Sequence, residues 1–284
     1  MIEAAGSGAW IRGEFMKRVM LQVAYDGTDY SGFQAQKSGA PTIEGELNKA
    51  LRDLTGESIE VSGASRTDAG VHARCNLAVF DTQSRIPGEK FAAALNVRLP
   101  QDIRVRGSRE VAEDFHPRRC GSIKTYEYTI YNATYPDPSR ERFNLFSYTP
   151  FDVEKMHRAA QILVGEHDFA SFCSVYTQAK TTVRTILEIS VTEKKLPSAG
   201  VISEKLQPRE IVIRVSGTGF LYNMVRIIAG TLMEIGRGAV PEEQMQQILE
   251  GKDRRLAGPT APPQGLMLAD YHFTEFFSEI REEA

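Results

Sequence analysis

Over residues 18–25 the positions Val19, Leu21, Val23 and Tyr25 alternate with Met20, Gln22 and Ala24, the two-residue period of a half-buried strand, and Asp26-Gly27 ends it in a turn. The period then changes. Ile43, Leu47, Ala50, Leu51 and Leu54 recur at helical spacing behind Thr42, an N-cap, and ahead of Gly56, a helix stop. Strands follow over 58–62 and 75–81, a helix over 89–97 closed by Leu99-Pro100, and a strand over 102–108. That order, β-α-β-β-α-β, returns in the second half. It reads as a strand over 124–131, a helix over 153–164 before Gly165, strands over 182–193 and 210–216, helices over 221–235 and 242–249, and a strand over 266–272. The pattern predicts an α+β fold of two tandem ferredoxin-like halves, the split βαβ arrangement also found in RNA-recognition domains. A loose tail over 1–15 precedes a half over 16–120 and another over 121–284. Nothing near 119–121 is rich enough in Gly, Ser or Pro to be a free linker, so the halves are expected to dock tightly.

Composition narrows the classes without choosing among them. With 284 residues, 42% hydrophobic and 25% charged, the chain can bury most of its apolar surface and is not disordered by composition. Cys75, Cys120 and Cys173 are scattered and odd in number, which points away from a disulfide framework and from a cysteine zinc site and towards a reducing cytoplasm. No apolar run reaches membrane-spanning length, and the N-terminus lacks the basic region and apolar core of a secretion signal. Met16-Lys17-Arg18 directly precedes the first strand and is an alternative start of translation. A net charge of −3 sits poorly with a nucleic-acid binder, which usually presents a basic face. Local charge matters more than the sum. Arg98, Arg104, Arg106, Arg109, Arg118, Arg119 and Lys124 crowd the middle of the chain while acid collects over 275–283, a distribution that allows a basic groove on an acidic body.

The densest chemistry lies in Gly63-Ala64-Ser65-Arg66-Thr67-Asp68-Ala69-Gly70-Val71-His72-Ala73, where an Arg, an acid and a His stand among residues too small to shield them, between two strands. On the residues alone, Asp68-Ala69-Gly70 also reads as a simple chain reversal. The whole run is longer and less common than a turn requires. It resembles the catalytic loop of the tRNA pseudouridine synthase A family, and further motifs extend the likeness from about Lys17 to Phe273. The resemblance makes Asp68 the catalytic carboxylate and gives Arg66 the space left when the target nucleotide leaves the RNA stack; a stacked base is out of a carboxylate's reach, so flipping is required.

In Lys124-Thr-Tyr-Glu-Tyr-Thr-Ile-Tyr131 a two-residue period puts Tyr126, Tyr128 and Ile130 on one face, the arrangement of a core strand. The family pattern of a basic residue followed by Tyr-x-Tyr singles out Tyr126 as the ring stacking on the target uracil. Lys124 stands where the family often has Arg, which keeps the charge but loses the fork that grips a phosphate. Arg226 is the only cation in the apolar stretch 221–233, a costly place for a charge without a partner. Asp68 is an obvious partner, so the guanidinium is expected within about 4 Å of that carboxylate. Phe220-Leu-Tyr-Asn-Met-Val-Arg226 matches a family signature with the same pairing, and Ala261-Pro-Pro-Gln-Gly-Leu266 matches another whose Leu266 lines the base pocket. Asp26, Gln34, His72 and His167 are further candidates for the cleft or the RNA surface. Neither His167 nor Cys173 has other His or Cys at ligand spacing, so no metal site is expected.

The resemblance implies isomerisation of uridine to pseudouridine in the anticodon arm of tRNA, at tRNA positions 38, 39 and 40, by a homodimer that needs no cofactor. It also implies one extended sheet with helices on one face and a cleft between the halves. The chemistry needs one carboxylate, as nucleophile at C1′ or base at C2′, and a pocket that retains the detached uracil. The sequence leaves those two roles open. A non-catalytic RNA-binding module would instead expose aromatics on its sheet, and a nucleosidase-like hydrolase would require a second acid, which does not stand out.

Overall fold

The computed structural model describes residues 16–175, 177, 179–197 and 206–274. The tail expected over 1–15 and the acidic stretch over 275–283 lie outside them. In chain order the elements are β1 (Lys17–Tyr25), α1 (Ile43–Thr55), β2 (Ser62–Gly63), β3 (His72–Thr82), α2 (Phe91–Asn96), β4 (Ile103–Val111), β5 (Ser122–Asn132), β6 (Leu145–Ser147), α3 (Val153–Gln161), β7 (Gly165–Asp168), β8 (Val183–Lys195), β9 (Arg209–Gly217), α4 (Met224–Gly236), α5 (Gln244–Gly251) and β10 (Leu266–Phe273). The expected α+β class holds. Among the described residues one open sheet runs β4-β1-β3-β10-β5-β9-β8-β7, with β2 beside β3 and β6 beside β5.

Alternation in β1 sorts its side chains as the sequence predicts. Val19, Leu21, Val23 and Tyr25 enter the main core, while Met20 joins a smaller cluster with Cys75, Leu77, Phe115 and Tyr271. The main core takes the buried stripes of every helix, including Leu47 of α1, Phe91 of α2, Met156 of α3, Ile228 of α4 and Ile248 of α5. Local signals set the limits of α1. Thr42 Oγ1 accepts the Gly45 amide at 3.2 Å, and Gly56 closes the helix in the left-handed region at φ 76°.

Three departures from the expected elements have local causes. The strand expected over 58–62 narrows to β2, because Val61 N donates to Asn48 Oδ1 of α1 at 2.8 Å instead of to a strand neighbour. The helix expected from 221 begins at Met224, since Asn223 stands at φ 62°, outside helical geometry. The short strands β6 and β7 carry too few residues for a readable alternation.

One junction positions the site. Neighbouring strands along the main path are antiparallel except β3 and β10, whose parallel contact is short and pairs Met267 with His72 and Leu268 with Ala73. On its other edge β10 pairs Leu268 with Tyr126 and Leu266 with Tyr128. The end of the Asp68 loop and the Tyr126 strand are therefore one strand apart.

Candidate active site

Loop 64–71 is held from several sides. Asn76, fully buried in β3, accepts Ser65 N at 3.2 Å and donates to Ser65 O at 2.9 Å and to the Tyr25 hydroxyl at 3.1 Å. Tyr25 in turn shares a 2.7 Å bond with Thr67 Oγ1, Phe33 N donates to Thr67 O at 3.1 Å, and Gly70 N donates to Tyr30 O at 3.2 Å. Gly70 needs to be glycine. Its φ is +75°, and a Cβ there would stand 2.9 Å from Pro263 Cγ. These hydrogen bonds tie the loop at both ends and at Thr67, so that it presents Asp68 in a fixed place.

Arg226 meets Asp68 across 158 positions of sequence. Its Nη1 lies 3.2 Å from Asp68 Oδ2, and each side chain is 15% exposed. The guanidinium is fixed before it reaches the acid, for Nη1 also donates to Asn223 Oδ1 at 2.9 Å and Nε donates to Ala261 O at 2.7 Å. Segment 258–261 is itself tied to α4, through Gly258 N to Thr231 Oγ1 at 2.9 Å and Ala261 N to Arg226 O at 3.1 Å. Gly230 permits that approach; a Cβ there would lie 1.8 Å from Pro259 O. Burial pushes the Asp68 carboxyl above its ordinary value, and Arg226 opposes that rise without cancelling it. Burial is the larger of the two influences.

The carboxylate opens into a cavity of about 640 Å³. Arg66, Lys124, Tyr126, Gln34 and Leu266 line it with Asp68, so six of the ten residues singled out in the sequence share one space. Arg226 joins through Asp68. Tyr126 is 9% exposed, its ring meets Phe220 edge-on at 5.2 Å, and burial holds its hydroxyl in the protonated form by raising its pKa. Ser65 stands beside that hydroxyl with its own Oγ buried and short of a full hydrogen bond.

Of the residues expected at the cleft or the RNA surface, Asp26, His72 and His167 do not line this cavity. His72 is wholly buried: Gly27 N donates to Nδ1 at 3.0 Å, and Nε2 lies 3.2 Å from Gln264 O, to which it donates in the matching tautomer. Burial lowers its pKa against the pull of Asp26, 3.2 Å from Nδ1. It is a brace between two turns. Asp26 caps its own turn through Thr28 and pairs with Arg142 at 2.9 Å, and His167 Nε2 lies 2.9 Å from Val164 O. All three satisfy local or structural needs.

Sequence reasoning gave no role to Asn76, Asn223 or Ser65, and named Arg118 only within the run of cations that could form a basic groove. Asn76 had a readable signal, a polar residue amid the apolar alternation of a strand. Asn223 lies inside the quoted signature three positions before Arg226, one helical turn away. Asp68 is the only carboxylate among the residues lining the cavity, and no described group of three or more His, Cys, Asp or Glu could hold a metal ion. The site can thus offer one largely buried, Arg-paired carboxylate, one aromatic wall and a basic rim.

Comparison with known proteins agrees over most of the length. A family model described as tRNA pseudouridine synthase matches residues 21–118 and 159–274. A tRNA pseudouridine synthase A of Brevibacillus brevis is 45% identical over 253 residues, covering 89% of this chain and 98% of that protein. Those of Acetivibrio thermocellus and Ruminiclostridium cellulolyticum are each 42% identical, over 258 and 260 residues, covering 91% of this chain and all of theirs.

Proposed function

Because this chain belongs to the tRNA pseudouridine synthase A family, we propose that Asp68 is the carboxylate through which it isomerises uridine to pseudouridine in tRNA. The observation that carries the assignment is the Asp68–Arg226 pair at the wall of the cavity, with no other carboxylate lining it. The reaction breaks the bond from C1′ to N1, turns the base and joins C1′ to C5. The hydrogen lost from C5 is matched by one gained at N1, so atoms balance and no redox partner is needed. Asp68 acts on the sugar, as nucleophile at C1′ or base at C2′. Tyr126 supplies a ring against the uracil, Leu266 closes the apolar side, and Arg66 fills the place the flipped nucleotide leaves. Gln34 and Lys124 face the RNA.

The substrate we propose is the anticodon arm, at positions 38, 39 and 40, bound by a homodimer in the cytoplasm. Three free cysteines fit a reducing compartment, and no helix among the described residues is long and apolar enough to cross a membrane. We also read the chain as two halves, 16–120 and 121–284, meeting at the cavity. The order β4-β1-β3-β2 in the first recurs as β10-β5-β9-β8 in the second, and all five helices enter the one main core, which supports reading them as covering one face of the sheet.

The test is tritium release from tRNA carrying 5-tritiated uridine, since a new C5 glycosidic bond must expel that hydrogen. Release without free uracil is the expected result. Free uracil in the same tube would support a hydrolase, and no release with several tRNAs would leave an RNA-binding module.

A further inference from the structure

Several cations elsewhere in the molecule meet acids: Lys17 pairs with Glu110, Arg18 with Asp81, Arg140 with Glu210 and Arg209 with Glu193. The cavity holds two cations without such a pair. Lys124 and Arg118 both line it, and among the described residues neither has a carboxylate within ion-pair distance. Among the described residues Lys124 Nζ has the Ala64 carbonyl at 3.4 Å and the Tyr271 ring at 5.4 Å. Arg118 Nη2 donates to Ser62 Oγ at 3.0 Å. Burial, and then the nearby Arg118 charge, push the Lys124 pKa down to about 8. A half-buried ammonium beside an exposed guanidinium, with Glu44 acting on the guanidinium only from beyond ion-pair distance, is an arrangement that an anion completes.

We propose that Lys124 and Arg118 form a binding site for one phosphodiester of the RNA, next to the target uridine, a proposal that rests on the tRNA reading above. The location follows from the anchors. Both cations are tethered to the segment that runs directly into the Asp68 loop, Arg118 through Ser62 and Lys124 through Ala64. A phosphate held there is therefore indexed to the carboxylate. The two cations divide the task, for a guanidinium fork grips two non-bridging oxygens while an ammonium contributes a point charge that tolerates different orientations. Arg66, exposed and making no hydrogen bond or ion pair among the described residues, stays available to the RNA stack beside it.

Lys124→Gln and Arg118→Gln, each with wild type as reference, are assayed by tritium release over a range of salt. Lys124→Gln should raise KM about tenfold with kcat within about twofold, and lower the slope of log KM against log salt by about 0.7–0.9, the share of one phosphate contact. Its Tm should stay level or rise, because a desolvated cation has been removed. Lys124→Arg should keep the wild-type slope. A substrate with an uncharged methylphosphonate at the phosphate on either side of the target uridine locates the contact: one of the two should cost wild type about tenfold in KM and cost Lys124→Gln nothing further. Inorganic phosphate as competitor distinguishes the other source of the same chemistry. If it competes in wild type while both methylphosphonates leave KM unchanged, the site takes free phosphate and the proposal fails. An unchanged KM and salt slope in Lys124→Gln, or methylphosphonate losses that simply add to those of the variant, would also overturn it. Absence of tritium release by wild type itself would be a failure of the functional reading instead.

Discussion

The two sides of the cavity treat positive charge in opposite ways. On one side Arg226 has its Nε on Ala261 O and its Nη1 shared between Asn223 and Asp68, and it reaches the acid from the first turn of a buried helix. On the other, Arg66, Arg118 and Lys124 have no acid partner among the described residues. A satisfied cation fixes geometry; an unsatisfied one waits for a ligand. The difference separates the groups that serve the chemistry from those that serve the RNA, and it gives each side its own response to substitution. Changes on the Arg226 side should appear in turnover and stability, and changes on the basic rim in KM and salt dependence.

The largest effect belongs to Asp68→Asn. The amide has nearly the carboxylate's size but is neither a nucleophile nor a useful base, so tritium release should fall by about a thousandfold or more while tRNA affinity stays within a few-fold. A variant retaining a tenth of the wild-type rate would move the chemistry off this loop. Arg226→Lys comes next. It keeps a charge but loses the planar fork that spans Ala261, Asn223 and Asp68, and turnover should drop about a hundredfold in a protein that still folds. Arg226→Ala is the harsher test of folding, since it leaves a largely buried carboxylate without its cation; complete removal of such a partner costs about 3–5 kcal/mol, and partial exposure of this pair sets the lower end.

The same pair makes a prediction about pH. Asp68 has a raised pKa in the fold, so the folded state holds its proton to higher pH than the unfolded chain does. By linkage, its contribution to stability is greatest below the unfolded carboxylate value and is lost as pH rises through the folded one, opposite to an ordinary salt-bridged acid. Activity runs the other way, because either role needs the ionised form. The acid limb of kcat/KM should therefore sit above the value of an ordinary exposed Asp. In Arg226→Gln, where burial acts unopposed, it should move further up. A limb that stays in place in that variant would break the assigned coupling.

What was legible in the sequence follows the range of the interactions. Thr42 and Gly56 delimit α1 by bonds spanning three or four residues, and both were readable. Arg226 was readable for a different reason: an isolated cation in an apolar helix announces that it needs an acid, and the loop motif supplied one. Brace and ligand groups were harder to separate. His72 lies in the same motif as Asp68, yet its partners are Gly27 and Gln264, and only the β3–β10 junction brings Gln264 near. The missing counter-ion of Lys124 was illegible for the same reason, because the lack of a partner can be judged only when every long-range neighbour is placed. The net charge of −3 misleads because it averages over paired and unpaired cations alike.

A position outside the cavity sharpens the contrast between fixing geometry and meeting the ligand. Asn76→Ala should lower stability by about 2–4 kcal/mol, because Ser65 N and O and the Tyr25 hydroxyl lose a buried partner at once. Chemical denaturation measures this directly. Turnover should fall with it, through a loosened Asp68 loop, while the salt slope of KM stays at the wild-type value. A changed slope would mean that Asn76 also sets the basic rim.

The smallest effect is expected at Tyr126, where the ring and the hydroxyl have separate duties. Tyr126→Phe preserves the edge-on contact with Phe220 and the wall it offers to the base. The hydroxyl it removes lies beside Ser65 Oγ, which is buried without a full hydrogen bond, so little stabilising interaction is lost and Tm should change by no more than a few degrees. If the hydroxyl helps move the proton from C5, kcat should fall about tenfold with KM within twofold, and a tritium isotope effect on release should grow as that step becomes slower. Equal losses in kcat and in affinity would instead assign Tyr126 to stacking alone. That outcome would place it functionally with the rim, although its burial groups it with Asp68 and Arg226.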